Sequence, residues 1–162
     1  MQPERTFVVV DICGKACGLP LEDVQELVPM AWLSRPPGIP SLIGGFLNLR
    51  GMAVPVLPVG RLFGLQEQAL ELHTPLVIVR SAGYSIALLV DNVSRILSVS
   101  SDALLPLEED HVFNNCAEAE TVVDGRVIHM LSLKCLLIEK ERRILGEFQA
   151  IEQQRLQDIE GQ

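Results

Sequence analysis

The chain reads GKACGLPLEDVQEL over residues 14–27, and residues 83–96 repeat the pattern as GYSIALLVDNVSRI. At one constant offset, Gly14 matches Gly83, and the apolar residues at 19, 21, 24 and 27 fall on apolar residues at 88, 90, 93 and 96. A second pair follows, with GMAVPVL over 51–57 answered by GRVIHML over 125–131. An internal repeat sets the architecture of a fold, and this unit occurs only twice. We therefore predict two similar small subdomains that pack side by side along a seam.

The composition is typical of a compact folded domain with an aliphatic core. Of the 162 residues, 48% are hydrophobic but only 4% are aromatic, and the net charge is −8. An acidic chain without a run of Lys or Arg predicts no nucleic-acid partner and no binding to an anionic membrane surface. No signal peptide is evident, and no apolar run approaches the ~20 residues of a membrane span. We therefore expect a cytoplasmic protein with free thiols and no membrane insertion.

Short segments rich in β-branched residues alternate with turn signals, and no β-α-β alternation is visible. This pattern predicts a mainly β fold of two small barrels with short helices, including a helix over 60–68. Residues 21–26 fit either a helical turn or a strand edge. The predicted hairpin turns are Gly14-Lys15, Arg50-Gly51, residues 81–83 and Asp124-Gly125.

The hydrophobic period changes near the end of the chain and becomes helical from Ser132 onward. Ile144, Phe148, Ile151 and Ile159 fall on one face of a predicted amphipathic C-terminal helix, which could break near Gly146. We expect this apolar stripe to pack on the first barrel, because it is too apolar to remain in water. The alternative is a partner surface for a kinase or for self-assembly.

Residues that could support catalysis or bind a metal are scattered. The three histidines and four cysteines show no metal-ligand spacing, and no nucleophile elbow or phosphate-binding loop is present. We therefore predict a protein without enzymatic activity, metal or cofactor.

Arg50 is unusual because it follows the apolar run Phe46-Leu47-Asn48-Leu49 and directly precedes Gly51. One interpretation is a strand-end cation that extends to water. The other is a polar anchor in a protein-binding surface, since arginine offers five donors and a flat face for stacking.

Residues 40–56, PSLIGGFLNLRGMAVPV, resemble the signature of CheW-like domains, the coupling proteins of bacterial chemotaxis. Val24-Gln25-Glu26 and residues 88–93 fall where the family has its matching segments. The resemblance covers about residues 5–140 and leaves 141–162 as a helical extension. It implies two SH3-like five-stranded β-barrels without catalytic activity. It also implies two partners, the cytoplasmic tips of chemoreceptors and the regulatory domain of a CheA-type histidine kinase.

The resemblance also implies binding residues. Val24, Glu26, Gly45 and Arg50 match family positions linked to receptor or kinase contact. Leu88 and Val90 would line part of a receptor groove near the seam, from the second barrel. The chain departs from the family at Pro58 and Ser132, where an acidic residue is usual.

Three alternatives remain open from the sequence. The first is a CheW-like adaptor of a non-flagellar pathway, such as surface motility. The second is an enzyme whose site the motifs do not reveal. The third is an oligomeric β-protein that self-associates through its C-terminal helix.

Overall fold

The protein is mainly β, as predicted, and its computed structural model describes residues 3–65, 74–81, 83–107, 116–136 and 139–160. The strands are β1 (Glu4–Ile12), β2 (Lys15–Pro20), β3 (Val24–Pro29), β4 (Gly45–Leu49), β5 (Met52–Pro58), β6 (Pro75–Ser81), β7 (Tyr84–Leu89), β8 (Asn92–Ser100), β9 (Leu105–Pro106), β10 (Ala117–Val123) and β11 (Arg126–Leu131). The helices are α1 (Val59–Leu62), α2 (Glu139–Glu160) and three 3-10 turns at Leu21–Asp23, Ser101–Ala103 and Leu133–Cys135. Within the described residues, no helix is long and apolar enough to cross a membrane.

The strands form two sheets whose orders are equivalent under the sequence repeat. One sheet runs β3-β6-β7-β5-β4, and the other runs β8-β1-β2-β11-β10 with the two-residue β9 at its edge. We call them the five-stranded barrel and the six-stranded barrel. The repeat equates β1 to β5 with β6, β7, β8, β10 and β11, in that order. The five-stranded barrel therefore combines β6 and β7 of the second repeat with β3, β4 and β5 of the first. The six-stranded barrel combines β1 and β2 of the first repeat with β8, β10 and β11 of the second.

This exchange confirms the two SH3-like barrels and shows that neither barrel is one continuous repeat. Strand β7 consequently lies in the same barrel as β4 and β5, next to β5 in a parallel pair. The expectation that the segment around Leu88 belongs to the opposite barrel from Arg50 is wrong. Long-range strand pairing decides this membership, and the order of the repeats along the chain does not reveal it.

Three hydrophobic clusters explain why several strands are apolar without alternation. Phe7 and Val9 of β1 point into the six-stranded barrel, and Leu76 and Ile78 of β6 point into the five-stranded barrel. The residues between them point into a third cluster shared by both barrels, which is the predicted seam. The shared-core residues from the strands include Val8, Val10, Ile12, Leu19, Phe46, Leu57, Val77, Val79, Ile86, Leu88 and Leu131. Strands buried on both faces carry near-continuous apolar runs.

Three hairpin turns share one backbone geometry, with a left-handed residue followed by a left-handed glycine. The pairs are Cys13-Gly14 (φ 50° and 81°), Arg50-Gly51 (51° and 87°) and Asp124-Gly125 (52° and 78°). Two consecutive positive φ angles indicate a type I′ turn, which matches the right-handed twist of the flanking strands. The predicted turn at Gly14-Lys15 is wrong by one residue, because Ile12 pairs directly with Lys15.

Several local predictions need refinement. The ambiguous segment 21–26 contains both alternatives, a 3-10 turn over Leu21–Asp23 and the start of β3. Helix α1 spans only Val59–Leu62, and the end of the predicted helix over 60–68 lies outside the described residues. Pro58 and Ser132, where the family usually has an acid, are the N-caps of α1 and of the 3-10 turn at Leu133–Cys135. Neither side chain makes a capping hydrogen bond.

Helix α2 packs along β5 and β4 of the five-stranded barrel, which is the intramolecular docking that we expected. It runs through Gly146 without a break. The predicted apolar stripe is partly wrong, because Ile151 and Ile159 are 55% and 68% exposed. Leu145 instead enters the shared core, with Phe148 and Leu156 partly buried against it. The inward face of α2 also carries polar residues, so the hydrophobic pattern alone does not identify it.

Candidate functional site

Arg50 lies at the tip of the β4–β5 hairpin, in the turn that the sequence predicted. Strand β4 ends at Leu49, which pairs with Met52, so Arg50 and Gly51 form the two-residue turn. The Gly51 N–H donates to Asn48 Oδ1 at 2.8 Å and stabilises the turn. The Arg50 side chain is 71% exposed. Its guanidinium is therefore presented to solvent from a defined backbone position.

Glu26 of β3 is the partner of this guanidinium. Arg50 Nη1 donates to Glu26 Oε2 at 3.4 Å, and Nη2 makes a second, shorter bond to Oε1, so the pair is bidentate. The hydrogen bond from Arg50, more than its charge, holds the pKa of Glu26 below its ordinary value. The same contact raises the pKa of Arg50. Both groups are consequently charged at neutral pH, in a geometry that fixes the flat face of the guanidinium.

The pair also joins the two edges of the five-stranded sheet. Strands β3 and β4 are the two edges of the five-stranded sheet. A contact between β3 and the β4–β5 turn is possible only if the sheet curls until its edges meet. Two residues proposed from the family resemblance, Glu26 and Arg50, are therefore brought together by the tertiary structure.

The six-stranded barrel carries a related pair with the opposite polarity. Under the repeat, Glu26 corresponds to Arg95 of β8 and Arg50 corresponds to Asp124 of the β10–β11 turn. Arg95 Nη1 lies 3.8 Å from Asp124 Oδ2. The two barrel ends thus present different charges at equivalent positions, a cation at Arg50 and an anion at Asp124. A partner that docks on one end would meet the wrong charge on the other.

Met52, directly after the turn, is a surface residue that the sequence analysis missed. Its side chain is 51% exposed, as is that of Leu27 in β3. We name the surface formed by Glu26, Arg50 and Met52 the Arg50 surface. A fixed guanidinium next to an exposed apolar side chain is a combination that occurs at protein interfaces. The signal in the sequence was an apolar residue directly after the Arg-Gly turn.

Val24 and Gly45 have structural roles. Val24 of β3 is half-buried and packs against the shared core. Gly45 is buried at the start of β4 with φ 148°, and a Cβ atom there would lie 2.8 Å from Leu33 Cβ and 3.1 Å from the Ser34 carbonyl oxygen. Glycine is therefore required by the close approach of the 33–34 segment.

Leu88 and Val90 cannot form the surface that the resemblance implied for them. Their side chains are 1% and 2% exposed and lie in the shared core. Leu89, between them, instead lines a surface groove of about 230 Å³ together with Val56 and Pro58. Successive residues of a strand point to opposite faces. The sequence could not indicate which face of this strand is exposed.

The described residues offer little for catalysis. No group of three or more His, Cys, Asp or Glu side chains in this part of the chain is placed to hold a metal ion. The four cysteines all lie in described residues, and none of them forms a disulfide there. Burial is the main cause that raises the pKa of the Cys13 thiol, which makes it a weaker nucleophile at neutral pH.

Comparisons with known proteins point in one direction. A sequence model of the CheW-like domain matches residues 6–141. The chemotaxis protein CheW of Klebsiella aerogenes is 25% identical over 105 residues, which span 65% of this chain and 63% of that protein. The probable chemotaxis protein CheW of Rhizobium etli is 23% identical over 142 residues, 86% of this chain and 92% of that protein. The crystal structure of the scaffolding protein TtCheW from Thermoanaerobacter tengcongensis superimposes with a TM-score of 0.78 and 25% identity, covering 87% of this chain and 97% of that one.

Proposed function

Because this chain belongs to the CheW-like domain family, we propose that it is a non-catalytic adaptor that couples methyl-accepting chemoreceptors to a CheA-type histidine kinase. The observation that carries the proposal is the family match over residues 6–141, which includes strands of both barrels. The adaptor works by holding two proteins in a fixed relative position, and its rigid shared core suits this task. The protein acts in the cytoplasm, where both partners expose their signalling domains.

The Arg50 surface is the site at which we expect a partner to dock. Arg50 is exposed, yet its orientation is fixed by two hydrogen bonds to Glu26. A pre-oriented guanidinium loses little conformational freedom on binding and offers its remaining donors to a partner carboxylate or carbonyl. The protein is acidic overall, with a net charge of −8, so a cation at this point also distinguishes the surface from its surroundings.

Two titrations test the proposal. The wild-type chain is titrated calorimetrically against the regulatory domain of a CheA-type kinase and, separately, against a fragment of a chemoreceptor cytoplasmic tip. We expect saturable binding to both. Absence of binding to either probe would contradict the adaptor function.

Arg50→Glu tests the surface itself. The variant places a second carboxylate beside Glu26, so binding to at least one probe should weaken by about tenfold or more, as for an anchoring interface residue. The melting temperature should change little, because the substituted side chain is exposed. Arg80→Glu is the matched control, since it makes the same change of charge at another exposed position of the same sheet. Equal losses in the two variants would indicate a general charge effect and would remove Arg50 from the site.

A further inference from the structure

Helix α2 contacts the backbone of β5 directly beside the Arg50-Gly51 turn. Gln153 Oε1 accepts a hydrogen bond from the Ala53 N–H at 2.8 Å, and Gln149 Nε2 donates to the Ala53 carbonyl at 3.1 Å. Gln153 Nε2 also donates to the Gly51 carbonyl at 2.8 Å. Two side-chain amides thus bind the backbone of β5 much as a neighbouring strand would.

Side chains take this position because the neighbouring strand lies elsewhere along β5. Strand β7 pairs with β5 only over Val56–Pro58, further from the turn. Ala53 is 1% exposed, so its backbone groups need partners from the protein. In the other barrel, the repeat equates Ala53 with Val127, which is 42% exposed and open to water. Among the described residues, the extensive packing of α2 is on β5 and β4, at the Arg50 end.

The turn is one that needs such support. Arg50 has φ 51°, a left-handed conformation that is unfavourable for a residue with a side chain and persists only where the surroundings hold it. The next residue, Gly51, is held at both ends of its backbone, since its N–H binds Asn48 and its carbonyl binds Gln153. Fixing Gly51 restricts the rotation of the peptide that joins it to Arg50. It consequently fixes the direction in which the Arg50 side chain leaves the turn.

The remainder of α2 is itself anchored to the barrel, so the helix can hold the turn in a fixed position. Leu145 is buried in the shared core. Glu152 is 4% exposed and accepts hydrogen bonds from Ser34 Oγ at 2.9 Å and from Arg155 Nη1 at 3.0 Å. The helix is thus tied both to the core and to the 33–34 segment, and its glutamines cannot shift independently of the barrel.

We propose that α2 is a positioning element for the Arg50 surface and that Gln153 is its positioning residue. This inference rests on the proposed function, because it concerns the surface that we assign to partner docking. Through Gln153, the helix holds the β4–β5 turn in the shape in which Arg50 meets Glu26. Docking of a partner on Arg50 and docking of α2 on β5 are therefore coupled, and each stabilises the other.

Gln153→Ala is the principal test, with Gln154→Ala as its control. Gln154 is exposed and bonds Asp158 within the same helix, so it has the same chemistry without the contact to β5. Hydrogen exchange measured by NMR should show loss of protection at the Ala53 amide in Gln153→Ala but not in Gln154→Ala. Gln153→Glu retains an acceptor for Ala53 and loses the donor to Gly51, so it should restore that protection. Unchanged protection in Gln153→Ala would overturn the inference without any partner present.

A double-mutant cycle with Arg50→Ala distinguishes positioning from general weakening of the fold. With the kinase regulatory domain or receptor tip fragment as probe, Gln153→Ala should weaken binding by about threefold to thirtyfold, the range for residues that act on a site indirectly. In the Arg50→Ala background it should have no further effect. An equal loss in both backgrounds would contradict action through Arg50 while leaving the adaptor function intact. If the wild-type chain binds neither probe, the proposed function is wrong, and the exchange experiment still decides the role of Gln153.

Discussion

Replacement of Gly45 by alanine should destabilise the protein strongly, although the family resemblance placed this residue among the contacts to a partner. The new Cβ atom would lie 2.8 Å from Leu33 Cβ and 3.1 Å from the Ser34 carbonyl oxygen. The backbone φ of 148° is also one that residues with side chains rarely adopt. Ser34 and Phe46 exchange two backbone hydrogen bonds at 2.7 and 2.9 Å. The 33–34 segment therefore cannot retreat from the new methyl group without breaking this bridge.

The magnitude follows from two contributions. A sparsely populated backbone conformation costs about 1–3 kcal/mol, and an added methyl group in a well-packed site costs about 1–3 kcal/mol. Together they amount to roughly 2–6 kcal/mol, which lowers Tm by about 5–20 °C in a chain of this size. Gly38→Ala separates the two contributions, because Gly38 also has a positive φ of 78° but has no atom within 4 Å of the added Cβ. The control should lose only about 1–2 kcal/mol.

Thermal unfolding followed by circular dichroism measures both variants under the same conditions. We expect a clearly lower Tm for Gly45→Ala than for Gly38→Ala. Partner affinity is then measured at a temperature at which both variants are fully folded, and it should match that of the wild type. The reasoning is refuted if the two variants unfold at the same temperature. It is also refuted if the folded Gly45→Ala protein loses tenfold in affinity, since that result would make Gly45 a contact residue.

The orientation of α2 and the ion pair of the Arg50 surface give two further predictions. Leu145→Ala removes a side chain that is 1% exposed and should lower the free energy of unfolding by about 2–5 kcal/mol in denaturant unfolding. Ile151→Ala removes a side chain that is 55% exposed and should change it by no more than about 0.5 kcal/mol. The reverse order would mean that α2 docks through the predicted stripe. Arg50 lowers the pKa of Glu26, so the stabilisation from this screened pair is present above the pKa of an unfolded glutamate and is lost as the pH falls through the folded value. A carbon-13 NMR titration of the Glu26 carboxyl should therefore show a higher pKa in Arg50→Ala than in the wild type, and identical titration curves would show that the pair does not form in solution.

The candidate site illustrates what local sequence can and cannot convey. Arg50 and Glu26 were both identified from the sequence, but their contact was not, because 24 positions separate them and β3 and β4 lie at opposite edges of the sheet. Leu88 and Val90 were expected to line a groove and proved to be buried. A strand that is covered on both faces carries apolar residues on both, so the sequence could not indicate that Leu89 lines a groove.

Helix α2 shows the same limit in another form. The helical period was visible, but the inward face contains Gln149, Glu152 and Gln153, which bind backbone groups and Ser34. A polar residue that is satisfied inside a protein cannot be distinguished by its identity from one that faces water. The predicted stripe therefore gave a partly wrong orientation, since Phe148 packs against the core whereas Ile151 and Ile159 are exposed.

By itself, the sequence determined the features that depend on neighbouring residues: a β-rich chain, its twofold repeat, and hairpins at Arg50-Gly51 and Asp124-Gly125. Turn geometry and strand alternation depend on a few adjacent residues, so they can be predicted without knowledge of the rest of the chain. Only the tertiary structure decided which hairpin joins which barrel, which apolar side chains fill the seam, and how α2 supports the Arg50 turn. These features depend on pairings between distant segments, whose free energies arise from packing and from burial of backbone groups that no single segment contains.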